Sequence, residues 1–259
     1  MPVPELRSIL VFPLKSGDAQ PVHFSRALPS GCLEHDRRWA LMDDVGRFWN
    51  GKRTPLFHRW RTWVNTSQRI LAVTYQKQEF AWQLDSQRSE LEQWFSQQVN
   101  GPVHLCENAE RGFPDDGEAS GPTLISTATL MTVTEWFPSL TVAQVRARFR
   151  TNLEITGVDP FWEDRAVEWC LSGGAIRIGT MVLKAVKICQ RCVVPSRDPF
   201  TGDVLTGFAA HFSAWRARAL PADVRLELYP HWYRLAVNTQ LLSGHATIIK
   251  TGDRVELIK

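Results

Sequence analysis

From the start of the chain to about Cys106, apolar and polar residues mostly alternate. Residues 9–12, 38–42, 70–73 and 80–84 are short runs of branched and aromatic side chains bounded by Gly, Pro, Asp and Ser, and they predict strands of a small barrel or sandwich. One helix interrupts them. Ser89 with Glu92 spells a capping box, and Leu91, Trp94, Phe95 and Val99 fall on one side of the turns that follow. Residues 112–122 are polar and rich in chain punctuators, which places a linker there between units at 1–111 and 123–259.

Beyond the linker, residues 123–125 read as a strand running into a helix opened by Ser126 or Thr127, and Thr141 with Gln144 opens a second helix whose apolar side is Val142, Val145 and Phe149. Strands resume at 152–155, 175–178, 181–188, 226–229, 233–237 and 247–258, the last as a pair turned at Thr251, Gly252 and Asp253. Phe208, Phe212 and Trp215 share one face of a late helix. The fold class is therefore mixed and β-dominated, with a strand-rich barrel and a few helices in the second half.

Composition narrows the function classes. Thirty basic against 27 acidic residues leave a net charge of +3, too small to argue for nucleic acid. Every apolar run is broken well before the roughly 18–20 residues of a membrane span, so no membrane partner is expected. The first residues lack the basic patch and apolar stretch of a secretory leader, and a cytoplasmic setting is the expectation. The five cysteines are too few and too scattered for a disulfide framework.

Gly46 through Lys52 has the spacing of a phosphate loop, but Arg53 stands where Ser or Thr must ligate magnesium, and the segment reads instead as a hairpin with basic residues at its end. The sharpest local signal is Cys189-Gln190-Arg191-Cys192. It admits a structural zinc site, a redox dithiol, a thiolate ligand to a soft metal carried by an organic cofactor, or a pair of inert buried thiols. Zinc lacks a second cysteine pair at a suitable spacing, and Val193-Val194-Pro195 is extended where a dithiol needs a helix. Around the pair, Lys15-Ser16, Asp36-Arg37, Ser126, Arg150-Thr151-Asn152 and Asp198 through Gly202 all sit at ends of regular elements, where sites are built. Together they offer cations, hydroxyls and one soft ligand, a set that suits a phosphorylated, metal-bearing cofactor. Trp49 and Trp232 are placed as candidates for a substrate mouth.

At these residues the chain resembles the MOSC family, the molybdenum-cofactor sulfurase C-terminal domain proteins, and within it the amidoxime-reducing branch. The resemblance rests on Pro13-Leu14-Lys15-Ser16, Asp36-Arg37-Arg38-Trp39, Phe149-Arg150-Thr151-Asn152-Leu153, Glu163-Asp164, Lys187 through Cys192, Asp198-Pro199 with Thr201-Gly202, and Ala236-Val237-Asn238, in that order. It implies an N-terminal β-barrel domain at 1–111, a MOSC β-barrel domain at 123–259, and a molybdenum cofactor (Mo-molybdopterin) between them; pyridoxal phosphate is not expected. By the same resemblance, Cys192 is the metal ligand and catalytic residue, and Cys189 is a neighbour that does not ligate. Lys15, Ser16, Arg37, Arg150 and Asn152 grip the cofactor, with Ser126 and Arg191 as further contacts. Asn50-Gly51-Lys52 departs from the Thr-x-Arg that relatives often carry.

The implied activity is reduction of N-hydroxylated compounds: amidoximes, hydroxylamines or N-hydroxylated bases. No four-cysteine iron–sulfur module, haem attachment or dinucleotide fingerprint appears in the sequence. Electrons are therefore expected from a separate ferredoxin-, flavin- or cytochrome-type protein. Two alternatives remain open: a carrier of the cofactor, or of sulfur as a persulfide on Cys192, and a strand-rich scaffold whose basic residues bind anions.

Overall fold

The structure is a computed structural model describing residues 3–259. β1 (Glu5–Val11), β2 (Gln20–Val22) and β3 (Phe24–Arg26) are followed by the β4 (Trp39–Met42) and β5 (Phe48–Trp49) hairpin and the short helix α1 (Leu56–Arg59). The strands β6 (Arg61–Asn65), β7 (Ile70–Tyr75) and β8 (Gln78–Gln83), helix α2 (Arg88–Val99) and β9 (His104–Glu107) complete the first half. β10 (Leu124–Ser126), α3 (Thr127–Glu135), α4 (Val142–Phe149), β11 (Leu153–Thr156) and α5 (Trp162–Leu171) open the second. It continues through β12 (Ala175–Ile178), β13 (Met181–Gln190), α6 (Phe208–Arg218), β14 (Arg234–Ser243), β15 (Ile248–Lys250) and β16 (Val255–Ile258). The β-dominated class expected from the sequence is the one found.

An eight-stranded sheet in the order β16-β12-β13-β14-β10-β11-β1-β2 is the largest element. All its pairs are antiparallel except β10 with β11, which run parallel because α3 and α4 form the crossover between them. The sheet curls until β1 meets the start of β16: Glu5 bridges Arg254, and the Leu6 amide donates to Asp253 O at 2.8 Å. That seam is a single bridge and not a ladder, so no sheet closes as a complete barrel among the described residues. β1 and β2 thus join the sheet of the second half, and β3 pairs with β15. Smaller sheets, β5-β4-β9 and β6-β7-β8, cover the first half. They bury Trp39, Trp60, Leu71, Leu91 and Phe95 in a core of their own.

Local sequence explains most of these elements. Thr141 and Gln144 form the expected capping box at α4, with Gln144 Oε1 accepting the Thr141 amide at 2.9 Å. The box expected at Ser89 and Glu92 does not form. α2 starts two residues earlier than that cap implies, at Arg88, and the Glu92 carboxylate accepts from the Leu105 amide at 2.8 Å and from Arg88 Nε at 3.0 Å rather than from the Ser89 amide. The strand expected at 226–229 is a 3-10 turn, Leu226–Leu228, lying between two prolines and tied at Arg225 to Glu168.

Helix α5 went unread because its buried side carries charge. Glu163 and Asp164 lie among Ala166, Val167 and Cys170 on the inward face, each 1 % exposed. Arg216 of α6, fully buried, pairs with Asp164, donates to Tyr229 Oη at 2.5 Å, and stacks over Phe161 at 4.3 Å. Both Glu163 oxygens lack a partner. Burial, and then the charge of Asp164, push the Glu163 carboxyl up to about 7.

In the unfolded chain Glu163 ionises near the ordinary 4.5, so between that value and about 7 the folded state holds a proton that the unfolded state has released. Stability therefore falls as pH rises through this window. Glu163→Gln removes this group's share of the slope: unfolding free energies of variant and parent from urea titrations are expected to agree near pH 4, with the variant ahead by about 3 kcal/mol at pH 8.

Candidate functional site

A cleft of about 540 Å³ draws its walls from both halves of the chain, a size suited to a small-molecule or cofactor site. Its first wall comes from loops of the N-terminal half. Leu14 is buried and bridges Trp39, which fixes the turn that follows and presents Ser16. Ser16 and Arg37 both have positive φ, +67° and +50°, in the left-handed region that non-glycine residues seldom adopt. Ser16 Oγ accepts the Gly51 amide at 3.2 Å, so the hydroxyl braces the turn that carries Lys52 to the rim. Asp36 accepts the Phe12 amide at 2.9 Å and pairs with Arg37, whose guanidinium lies 5.2 Å over the Phe12 ring. Burial opposes the Arg37 charge, but Asp36 and Asp115 outweigh it and hold its pKa above the ordinary value.

The second wall is the end of α4 and of β13. Arg150 caps α4 in the left-handed conformation, φ +51°, and its Nη2 donates to Gly17 O at 2.7 Å across to the first wall. Burial, then the like charge of Arg37, push its pKa down to about 10, which still leaves it cationic at neutral pH. Cys189 and Cys192 both line the cleft and both are half-buried. The Cys192 sulfur accepts only a weak bond, from the Val194 amide at 3.4 Å. Tyr233 is its neighbour: burial, then the charge of Cys192, push the phenol pKa up, and the Tyr233 hydroxyl has no partner.

The linker supplies a third wall. Asp115 lies against Lys15 and Arg37, at 2.7 and 3.8 Å, and these cations hold its carboxyl well below the usual range. Asp116 takes Lys187 at 2.7 Å and Asn238 Nδ2 at 2.9 Å. Gly112 makes this course possible. Its φ is +64°, and a side chain there would run into the carbonyls of Asp36 and Arg37.

Of the residues expected at the site, Ser16, Arg37, Arg150, Asn152, Arg191 and Cys192 line the cleft. Two do not. Lys15 is buried beneath it, donating to Phe113 O at 2.8 Å and to Asp115, so its ammonium anchors the linker. Ser126 is fully buried as the N-cap of α3, accepting the Thr129 amide at 3.0 Å, so its hydroxyl is spent on the helix. Asn152 and Arg191 lie on the wall, but their polar atoms are largely engaged. Asn152 is held by Thr123 and Leu10 O, and Arg191 donates to Leu235 O and Phe149 O at 2.6–3.0 Å, clamping β13 to β14 and α4. Trp49 donates to Pro102 O, and Trp232 packs on Tyr229, both away from the cleft.

Sequence reading missed His58 of α1. Its imidazole lines the cleft, is 8 % exposed, and leaves Nε2 without a partner. Burial, then Arg150, push its pKa down to about 4, so it is neutral near pH 7. No pattern in the sequence marks it, since α1 is four residues long. Asp115 and Asp116 were visible only as linker punctuation.

No group of three or more His, Cys, Asp or Glu side chains converges as metal ligands among the described residues. A metal at Cys192 would therefore take most of its ligands from an organic carrier. The donor set fits such a group: a half-exposed thiol on one wall, and guanidinium and hydroxyl groups on the other. No helix is long and apolar enough to cross a membrane among the described residues.

Comparison with known proteins agrees with this geometry. Residues 3–111 match the MOSC N-terminal beta barrel domain, and residues 122–256 match the MOSC domain. A search of curated proteins finds no match. MOSC domains are associated with molybdenum-cofactor-binding proteins. Two adjoining matches that together run from residue 3 to residue 256 leave one assignment: the chain belongs to the MOSC-domain family.

Proposed function

We propose that the cleft holds a pterin-based molybdenum cofactor and that the protein reduces N-hydroxylated compounds, such as amidoximes, with electrons delivered by a separate protein. The observation that carries this reading is the half-exposed Cys192 thiol lining one cleft with Arg150 of its own wall and with Arg37 and Ser16 of the opposite one. When bound, the cofactor supplies the two-electron redox chemistry. The chain's own share is binding and orientation. Cys192 offers a soft sulfur ligand, and Arg37 and Arg150 match a phosphate through planar guanidinium groups. Lys52 adds a cation at the rim, while Arg191 holds the cysteine loop against β14 through Leu235 O.

The overall conversion consumes two electrons and two protons and yields an amidine and water from an amidoxime. The test supplies a reduced artificial donor and benzamidoxime to the purified full chain. Donor oxidation matched by benzamidine formation is the expected result. A second reading, a carrier of the cofactor or of persulfide sulfur, draws on the presence of Cys189 in the same cleft. It predicts no donor oxidation together with a persulfide at Cys192 in thiol labelling.

A further inference from the structure

Beside the cleft lies a second cavity of about 250 Å³, which shares Ser16, His58, Arg148, Arg150 and Val194 with it. Its mouth is marked by exposed Ala19, Ala143 and Phe200, the last 54 % exposed, and its floor by buried Phe12, Phe57 and Arg148. The charge around it does not balance. Five arginines line the cavity, at positions 61, 146, 148, 150 and 197, against Asp18 as its one acidic lining residue.

Pairing accounts for three of them. Arg61 lies 3.2 Å from Asp18, Arg146 holds Glu154 at 2.6 and 3.1 Å, and Arg148 lies 3.6 Å from Asp198. Arg150 and Arg197 have only carbonyl partners, Gly17 O at 2.7 Å and Gly202 O at 3.4 Å. The Nε atoms of Arg61, Arg148 and Arg197 and the Nε2 of His58 are buried without a partner. Arg150, Arg197 and Arg61 also act together on His58, adding to burial in holding it neutral. Uncompensated guanidinium groups at a partly desolvated site are costly, and an incoming anion relieves that cost.

The remaining wall is apolar: Phe12, Phe57, Phe200, Pro199, Ala143 and Ala147, with Arg61 stacked 5.1 Å over Phe200. An inorganic anion would leave these surfaces unused. The volume falls below the roughly 300–1,000 Å³ typical of drug-sized ligands. We propose that this cavity binds a small organic anion, a carboxylate on a flat apolar body such as a benzene ring, with the carboxylate toward Arg197 and Arg150 and the ring among the phenylalanines. Carboxylate matches guanidinium in a forked pair, and ring burial adds the apolar contribution. The site needs no metal; it shares Arg150 with the cleft, and Arg197 and Ala143 are the lining residues on which it can be tested apart from the redox reading.

Isothermal titration of the purified full chain with benzoate, benzamide and inorganic phosphate tests it. Benzoate is expected to bind at one equivalent, weakening as salt rises, with benzamide and phosphate each at least tenfold weaker. Arg197→Gln should weaken benzoate at least tenfold. Ala143→Phe, a change at an exposed helix position on the mouth of this cavity alone, should do the same with an unchanged melting temperature. If Arg197→Gln fails to fold, Ala143→Phe decides. Benzamide or phosphate binding as tightly as benzoate, or benzoate binding indifferent to Ala143→Phe, overturns the proposal.

Discussion

Cys192→Ser is expected to strip the protein of bound molybdenum and bring benzamidoxime reduction to background, while Cys189→Ser keeps turnover within about tenfold of the parent. The difference follows from what each sulfur does. A serine hydroxyl is a harder, far less acidic donor than a thiol, so it does not replace thiolate toward a soft-ligand metal site. Loss of the ligand itself should exceed the ~10–100-fold that changes in groups behind a ligand cost. Cys189 lines the same cleft, but its sulfur makes only a 3.6 Å contact with the neighbouring Gln190 carbonyl. Neither substitution opens a core cavity, because both side chains are half-buried, and the Cys192 sulfur gives up one weak amide bond. Compared as cofactor-free chains, stability should move by no more than about 0.5 kcal/mol in either variant. Molybdenum per chain, turnover and melting temperature together check the assignment. A Cys192→Ser protein that keeps its metal and its activity removes the basis of the proposed function.

That these residues sit at the ends of regular elements was legible before the fold was, and the reason is local, whereas their roles toward a cofactor are implied by the family resemblance. Arg150, Asn152 and Cys192 stand at ends of α4, β11 and β13, and those ends are written in nearby residues: the Thr141 cap, the alternation through Met181, Leu183 and Ala185, the proline at 195. What could not be read was which polar groups remain free. Lys15 and Ser126 have the right chemistry at the right kind of position. Yet Lys15 spends its charge on Asp115, exactly one hundred residues away, and Ser126 spends its hydroxyl on a helix cap. Pairing at that range leaves no trace in a window of sequence. The same holds for β1, whose partner β11 lies across the whole first half, so that the first strand belongs to a sheet built mainly from later residues. Helix α5 failed for a different reason, since an inward face carrying two acids does not register as an apolar stripe.

Those two acids set up the second large effect. Arg216→Met is expected to destabilise the fold by about 3–5 kcal/mol, the cost of leaving a buried charge without its partner. At ~2–4 °C per kcal/mol, that lowers the melting temperature by roughly 10 °C. Arg216 is fully buried and Asp164 is 1 % exposed, so water does not replace the lost guanidinium. Burial already raises the Asp164 pKa in the parent, and Arg216 is the main influence opposing it. Without Arg216 the carboxyl shifts up further and takes a proton at higher pH, which limits the loss in acid. A raised folded-state pKa means stability present at low pH and lost as pH rises, so the gap between variant and parent should widen from pH 5 to pH 8. Adding Asp164→Leu to Arg216→Met removes the stranded carboxylate and should recover most of the loss, as apolar replacements of buried ion pairs do. Urea unfolding of the single and double variants at both pH values separates charge from packing. Equal instability of the two, with no dependence on pH, would mean that the stacking of Arg216 on Phe161 and Tyr229 matters more than its pairing with Asp164.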